Sequence, residues 1–195
     1  MKIPNVRLLR RTMVGSALAA TFAGLLLASC AEIPNPTRYT VIFQPSYAQF
    51  TGDPNNQSTN PGVHVFLEQQ CGTLDCHGQV DRPFRLFSQF GLRAENDAGN
   101  LSGVGPETAD ELYSNYLSAV GLEPEEMSRV VAGEDSPTQL LLVEKPRNLV
   151  HHKGGQRMVE GDSLDLCLTG WLEDPSHYQD GGYDPANCYQ ASLVP

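Results

Sequence analysis

Positive charge is scarce in this chain of 195 residues: 13 Lys and Arg stand against 23 Asp and Glu, a formal net charge of −10. That balance gives no electrostatic case for nucleic acid or an anionic lipid surface, which are held by clustered cations. The chain has no Gly-rich phosphate loop, no Ser/His/Asp pattern and no internal repeat, which removes the usual sequence grounds for phosphoryl transfer, triad hydrolysis or a repeat architecture. Long apolar runs are missing too. The longest, Met13 to Leu27, falls short of the ~20 residues that cross a bilayer. There are only five cysteines, so each one constrains the reading.

The first thirty residues read as an export address. Lys2, Arg7, Arg10 and Arg11 precede the apolar run, which ends Leu27-Ala28-Ser29-Cys30. This ending resembles the bacterial lipobox, whose cysteine is diacylated and becomes the first mature residue; an ordinary secretory signal is the alternative. Two acyl chains make a stable anchor, unlike one. Ala31, rather than Asp, follows Cys30, and by resemblance to lipoprotein sorting this implies the outer membrane, on its periplasmic side or at the cell surface. Arg10-Arg11 could also be read as a twin-arginine signal. Removing residues 1–29 takes away four basic and no acidic residues, leaving a formal charge of −14. Such a surface favours a basic partner.

The chemistry concentrates in Cys71-Gly72-Thr73-Leu74-Asp75-Cys76-His77-Gly78. Two cysteines followed at once by histidine read as a covalent haem-attachment site, in which both thiols form thioethers and His77 is the proximal iron ligand. The gap between the cysteines is four residues rather than two. At 3.6 residues per turn, positions five apart leave a common helix face, so the segment has to bulge. A small Cys71–Cys76 disulfide loop is the competing reading. Zinc on Cys71, Cys76, His77 and a loop histidine is a weaker one for an oxidising compartment. If haem takes Cys71 and Cys76 and lipid takes Cys30, then Cys167 and Cys188 are left as an even pair, and a disulfide between them follows.

Residues 30–62, rich in Pro, Asn, Gln, Ser and Thr, read as a lipidated tether, with a short strand possible at Arg38–Phe43. A helix is expected at 63–70 with Val63, Phe66 and Leu67 on one face and His64 on a wet one. Residues 94–105 read as a polar loop. The clearest helix runs from Pro106 to Val120, with Ala109, Leu112, Tyr113, Tyr116, Leu117 and Val120 as its apolar stripe. Helices over 124–131, with Met127 in the core, and over 137–143, capped by Ser136, come next. Asp162 or Ser163 caps the last helix, which presents Leu164, Cys167, Leu168, Trp171 and Leu172 on one face. Residues 176–195 read as an irregular tail.

Helix, attachment motif, middle helices, ligand loop and final amphipathic helix together make residues 63–175 similar to a single-domain, mainly α cytochrome c. More narrowly, Gly133-Glu-Asp-Ser-Pro-Thr-Gln-Leu-Leu-Leu, then Lys145-Pro146, then His152-Lys153-Gly154-Gly155 resembles the cytochrome c-like domains of planctomycetes and myxobacteria. That resemblance implies one covalent haem c, with His152 as distal iron ligand and Met158 or His151 as alternatives. Arg82, Arg85, Lys153 and Arg157 are candidate propionate partners, Arg being shaped for carboxylates. It implies an electron carrier, not an enzyme, that serves a redox protein partner. A non-haem envelope lipoprotein held by disulfides is the competing class, and an open-site haem peroxidase a third.

Overall fold

A computed structural model describes residues 43–95, 105–173 and 182–194, all within one unit spanning 42–195. The export segment, Cys30, the tether as far as residue 42, and residues 96–104, 174–181 and 195 lie outside the described residues. The described chain is mainly helical: α1 (Tyr47–Thr51), α2 (Val63–Cys71), α3 (Ala109–Val120), α4 (Pro124–Val131), a 3-10 turn at Pro137–Gln139, α5 (Leu141–Glu144), α6 (Ser163–Leu172) and α7 (Pro185–Ser192). None of these helices is long and apolar enough to cross a membrane.

The tether ends earlier than residue 62. Ser46 caps α1 by accepting from Gln49 N, and the helix drives Phe50 fully into the core against Trp171 and Tyr116, ring centres 5.3 and 5.6 Å away. The indole Nε1 of Trp171 donates to Ser46 O at 2.9 Å. One buried aromatic on a five-residue helix leaves no periodicity to read. Between α1 and α2 the chain folds back so closely that a Cβ on Gly52 (φ +68°) or Gly62 (φ +81°) would strike the other's backbone. Phe43, the last residue of the expected strand, is not extended into a sheet; its N–H donates to Ser128 Oγ at 3.0 Å.

α2 buries Val63, Phe66 and Leu67 as expected, but His64 and Glu68 are also buried, at 5 % and 4 % exposure. The wet face assigned to His64 is covered: the Phe50 ring of α1 is centred 6.2 Å from the imidazole. Burial lowers its imidazole to about 4, so the ring is neutral at neutral pH.

α3 starts with a complete capping box, Thr108 and Glu111, yet its buried face is turned from the apolar stripe. Tyr113 and Leu117 are 52 % and 44 % exposed, while Glu111 and Asn115 are buried beside Tyr116, Ala119 and Val120. The reason lies in segment 84–95, which makes one isolated bridge (Phe87 to Leu92) and needs partners for its backbone. Asn115 supplies two: its Oδ1 accepts from Phe87 N at 2.7 Å and its Nδ2 donates to Phe87 O at 2.8 Å. Glu111 takes both arms of Arg93 at 2.9 Å, plus the N–H groups of Ala94 and Thr108.

This network makes a pH prediction. Burial alone would raise the Glu111 carboxyl, but the Arg93 fork and the two backbone donors outweigh it and hold the group at about 2. Its stabilisation is therefore complete above the unfolded carboxyl range near ~4.4 and is lost as pH falls towards 2. Urea midpoints measured from pH 7 to pH 2 should drop across that window. Glu111→Gln should flatten this acid limb and cost about 3 kcal/mol at neutral pH.

Pro124 opens α4, and Met127 is buried in the core as expected. The next expected helix is divided at Leu140, whose extended backbone (ψ 135°) separates the 3-10 turn from α5. Glu123 reaches across to take Leu141 N at 2.6 Å and so caps the new start. α6 is capped by Asp162 and buries the whole expected face, Leu164, Cys167, Leu168, Trp171 and Leu172. The tail is folded from residue 182: α7 packs on α6, and Cys188 is bonded to Cys167 with Cα atoms 4.8 Å apart. The expected pairing is therefore seen, within a tail that is helical and not irregular.

Candidate functional site

α2 ends at Cys71, and the chain then makes the expected bulge. Thr73 O accepts from both Cys76 N and Gly78 N at 2.9 Å, and Cys71 O accepts from His77 N at 2.9 Å. Ser88 Oγ fastens the turn by donating to Gly72 O at 2.6 Å. The four-residue gap is thus a compact loop closed by its own backbone bonds, and it places Cys71, Cys76 and His77 in the lining of a cavity of about 590 Å³. A cavity of this size is in the range that encloses a large organic ligand. Cys71 and Cys76 are not bonded to each other.

The opposite wall comes from the loop after Lys145-Pro146. Pro146 O accepts from Arg157 N (2.8 Å) and Met158 N (3.2 Å), closing the stem. Arg147 forks onto Asp165 of α6 at 2.7 and 2.8 Å, and Asp165 also accepts from Gly161 N at 2.8 Å. Held this way, the loop presents His151, His152 and Met158 to the cavity. Phe66, Leu67, Leu141, Leu142, Leu164 and Leu168 supply apolar sides.

His77 and His152 are set alike. The Nδ1 of His77 lies 2.7 Å from Phe84 O, and the Nδ1 of His152 lies 2.9 Å from Gly155 O. A carbonyl can only accept, so each Nδ1 carries a hydrogen; in a neutral ring this leaves the lone pair on Nε2, the arrangement a metal-ligating imidazole needs. Burial, with His152, Arg82 and Lys145 nearby, holds His77 below its ordinary range against the opposing pull of the Phe84 bond. The two rings are centred 6.3 Å apart with planes 23° from parallel. Two imidazoles sharing one metal need ring centres ~6 Å apart, from two ~2 Å bonds and ~1 Å within each ring. Burial, with the Cys76 thiol beside it, pushes Cys71 up to about 12 against the pull of Arg157, so it is a neutral thiol.

Of the expected propionate partners, Arg82, Lys153 and Arg157 line the cavity, and Lys145 joins them. Arg85 is absent from the lining. Its guanidinium stacks over the Phe87 ring at 4.9 Å, while its backbone N donates to Ser118 Oγ, so it is withdrawn as a partner. Lys145 was detectable only through its place directly before Pro146 and the loop. The donor set fits a covalently held porphyrin: two thiols and an imidazole on one wall, a second imidazole on the other, apolar sides and several cations.

The loop's glycine can be tested directly. A Cβ on Gly154 would meet His152 Cε1 at 3.1 Å and Nε2 at 3.3 Å. Gly154→Ala should therefore displace the His152 ring by a few tenths of an ångström and alter the spectrum of a bound iron, with the far-UV circular dichroism unchanged.

Compared with models of known protein families, with curated proteins and with solved structures, the chain matches none.

Proposed function

We propose that this chain is a monohaem c-type cytochrome, anchored through Cys30 to the outer membrane and carrying single electrons within the bacterial cell envelope. The observation that supports it best is the pair of Nδ1-anchored imidazoles, His77 and His152, centred 6.3 Å apart in the cavity that Cys71 and Cys76 line. When bound, the haem supplies an iron that cycles between two oxidation states.

The chain's own residues would do the rest. Cys71 and Cys76 would tether the porphyrin, and His77 and His152 would both hold its iron, so that no open site would be left for a substrate. That makes the protein a carrier and not an enzyme. Two imidazoles hold the potential lower than a His/Met pair, because a thioether raises it. The leucine and phenylalanine sides exclude water, and Arg82, Lys145, Lys153 and Arg157 offset the propionate charge. The acidic remainder of the surface suits a basic redox partner.

The full chain, produced in a bacterium equipped for c-type cytochrome maturation, should carry haem that stays with the polypeptide through denaturing electrophoresis. Exported protein without covalent haem would leave the disulfide-held lipoprotein in its place.

A further inference from the structure

Four exposed apolar side chains gather where the described chain begins. Phe43 and Tyr47 belong to the entry segment and α1, Tyr113 and Leu117 to α3, and all four are exposed. They share one face. The Tyr47 ring packs edge-on against Tyr113 with centres 5.7 Å apart, and the Tyr116 hydroxyl donates to Pro45 O at 2.8 Å, which lays the entry segment along α3. We propose that this face rests on the bilayer that holds Cys30, in the headgroup region of zwitterionic phospholipid. The inference rests on the reading of Cys30 as a lipid anchor and is independent of the haem.

Reach is the first support. Phe43 is 13 residues past Cys30, and a chain of that length spans at most about 45 Å. With Cys30 acylated, the domain stays beside the bilayer and its contact with lipid is intramolecular, so the weak affinities of a few side chains suffice. The face also stands at the end of that tether. Bringing it down to the membrane needs no detour of the chain.

Charge is the second support. Without residues 1–29 the chain carries a formal charge of −14, and acidic surface is repelled by anionic headgroups. This face is an exception. Residues 43–52 hold no charged side chain, and α3 adds only Asp110, one turn before Tyr113, because Glu111 is buried. An acidic domain held at a membrane meets little opposition with a nearly uncharged side turned down, and the lack of cations there favours zwitterionic over anionic lipid.

The side chains suit the place. Tyrosine favours the membrane interface, with its ring in the apolar margin and its hydroxyl among the headgroups. Tyr113 and Leu117 belong to the apolar stripe of α3 that the fold leaves uncovered, and a contiguous exposed apolar patch marks an interaction surface. None of the four lines the cavity, so the contact leaves the redox site free.

The test is photolabelling of the full-length lipoprotein, purified from a bacterium that acylates it and placed in phosphatidylcholine vesicles doped with a phosphatidylcholine carrying a diazirine near its headgroup. Peptide mass spectrometry reads both the acyl chains on Cys30 and the sites of label. Beyond the tether, the label is expected mainly on residues 43–47 and 113–117, with little on Leu149 or Val80, which are more exposed but stand by the ligand loop and the attachment loop. Tyr113→Ser combined with Leu117→Ser changes two exposed positions, so the circular dichroism should hold while the label on 43–47 falls to the level of the rest. Label spread evenly over the acylated chain, or absent from 113–117, would overturn the proposal. So would label on 43–47 that survives the double variant, since nearness to the anchor alone would then explain it. An unacylated Cys30 would remove the anchor reading and this inference together; with Cys30 acylated, a failure belongs to this inference alone.

Discussion

If the chain carries the proposed haem, replacing His152 by Ala is expected to leave it attached and to convert a six-coordinate, low-spin iron into a five-coordinate, high-spin one. Attachment survives because Cys71, Cys76 and His77 sit on the other wall, in a loop closed by its own backbone bonds through Thr73 O and Cys71 O. Coordination changes because the Nε2 lone pair of His152 leaves with the side chain. His152→Met should restore low spin and raise the reduction potential, since the thioether stabilises the reduced iron. Met158 is the control. It lines the same cavity but is 3 % exposed, packed with the core cluster. Met158→Ala should keep the spectrum and lose about 2–4 kcal/mol of stability, the cost of a large-to-small change in a core. Absorption spectra of the three variants, oxidised and reduced, make the comparison. A changed spectrum in Met158→Ala beside an unchanged one in His152→Ala would reverse the ligand assignment.

Cys188→Ala is expected to be the most damaging change outside the cavity. The bridge to Cys167 closes 21 residues, and opening a loop of that size costs about 3 kcal/mol through the unfolded chain. Both sulfurs are fully buried, and α7 contributes Ala191 to the same core. The damage should not stay local. Gln70 Nε2 donates to Val194 O at 3.1 Å, which ties the end of α2, one residue before Cys71, to the chain just past α7. Denaturant unfolding under oxidising conditions should show a lower midpoint, and limited proteolysis should cut first between residues 182 and 194. An unchanged midpoint would mean that α7 holds by packing alone.

α6 was legible in the sequence because its five buried residues recur on one face and Asp162 marks its start. The Cys167–Cys188 bridge followed from cysteine counting. α3 was harder: Glu111 and Asn115 look like solvent positions, yet they are buried because they serve the backbone of 84–95 in place of a sheet. The burial of His64 was hidden too, because it depends on Phe50 of α1, a single anchor without a periodic pattern. α1 and α7 escaped because each sits in polar sequence and is held by one or two anchors, Phe50 in the first and Cys188 with Ala191 in the second, which produce no periodic pattern. In the site, the motif and the loop each announced their histidines. Their approach to 6.3 Å depends on the Arg147–Asp165 fork and the Pro146 stem, two long-range pairings that no local pattern encodes. Arg85 and Lys145 exchanged roles for the same reason, since which cations face a cavity is set by how the chain folds around it.

The central claim is that Cys71 and Cys76 hold a porphyrin between His77 and His152. Its most direct test is mass spectrometry of the proteolytic fragment containing residues 71–77, taken without reductant from protein matured in the envelope. The account predicts a fragment carrying one haem, bonded to both sulfurs. A fragment lighter by two hydrogens and free of haem, the signature of a Cys71–Cys76 disulfide, would contradict it.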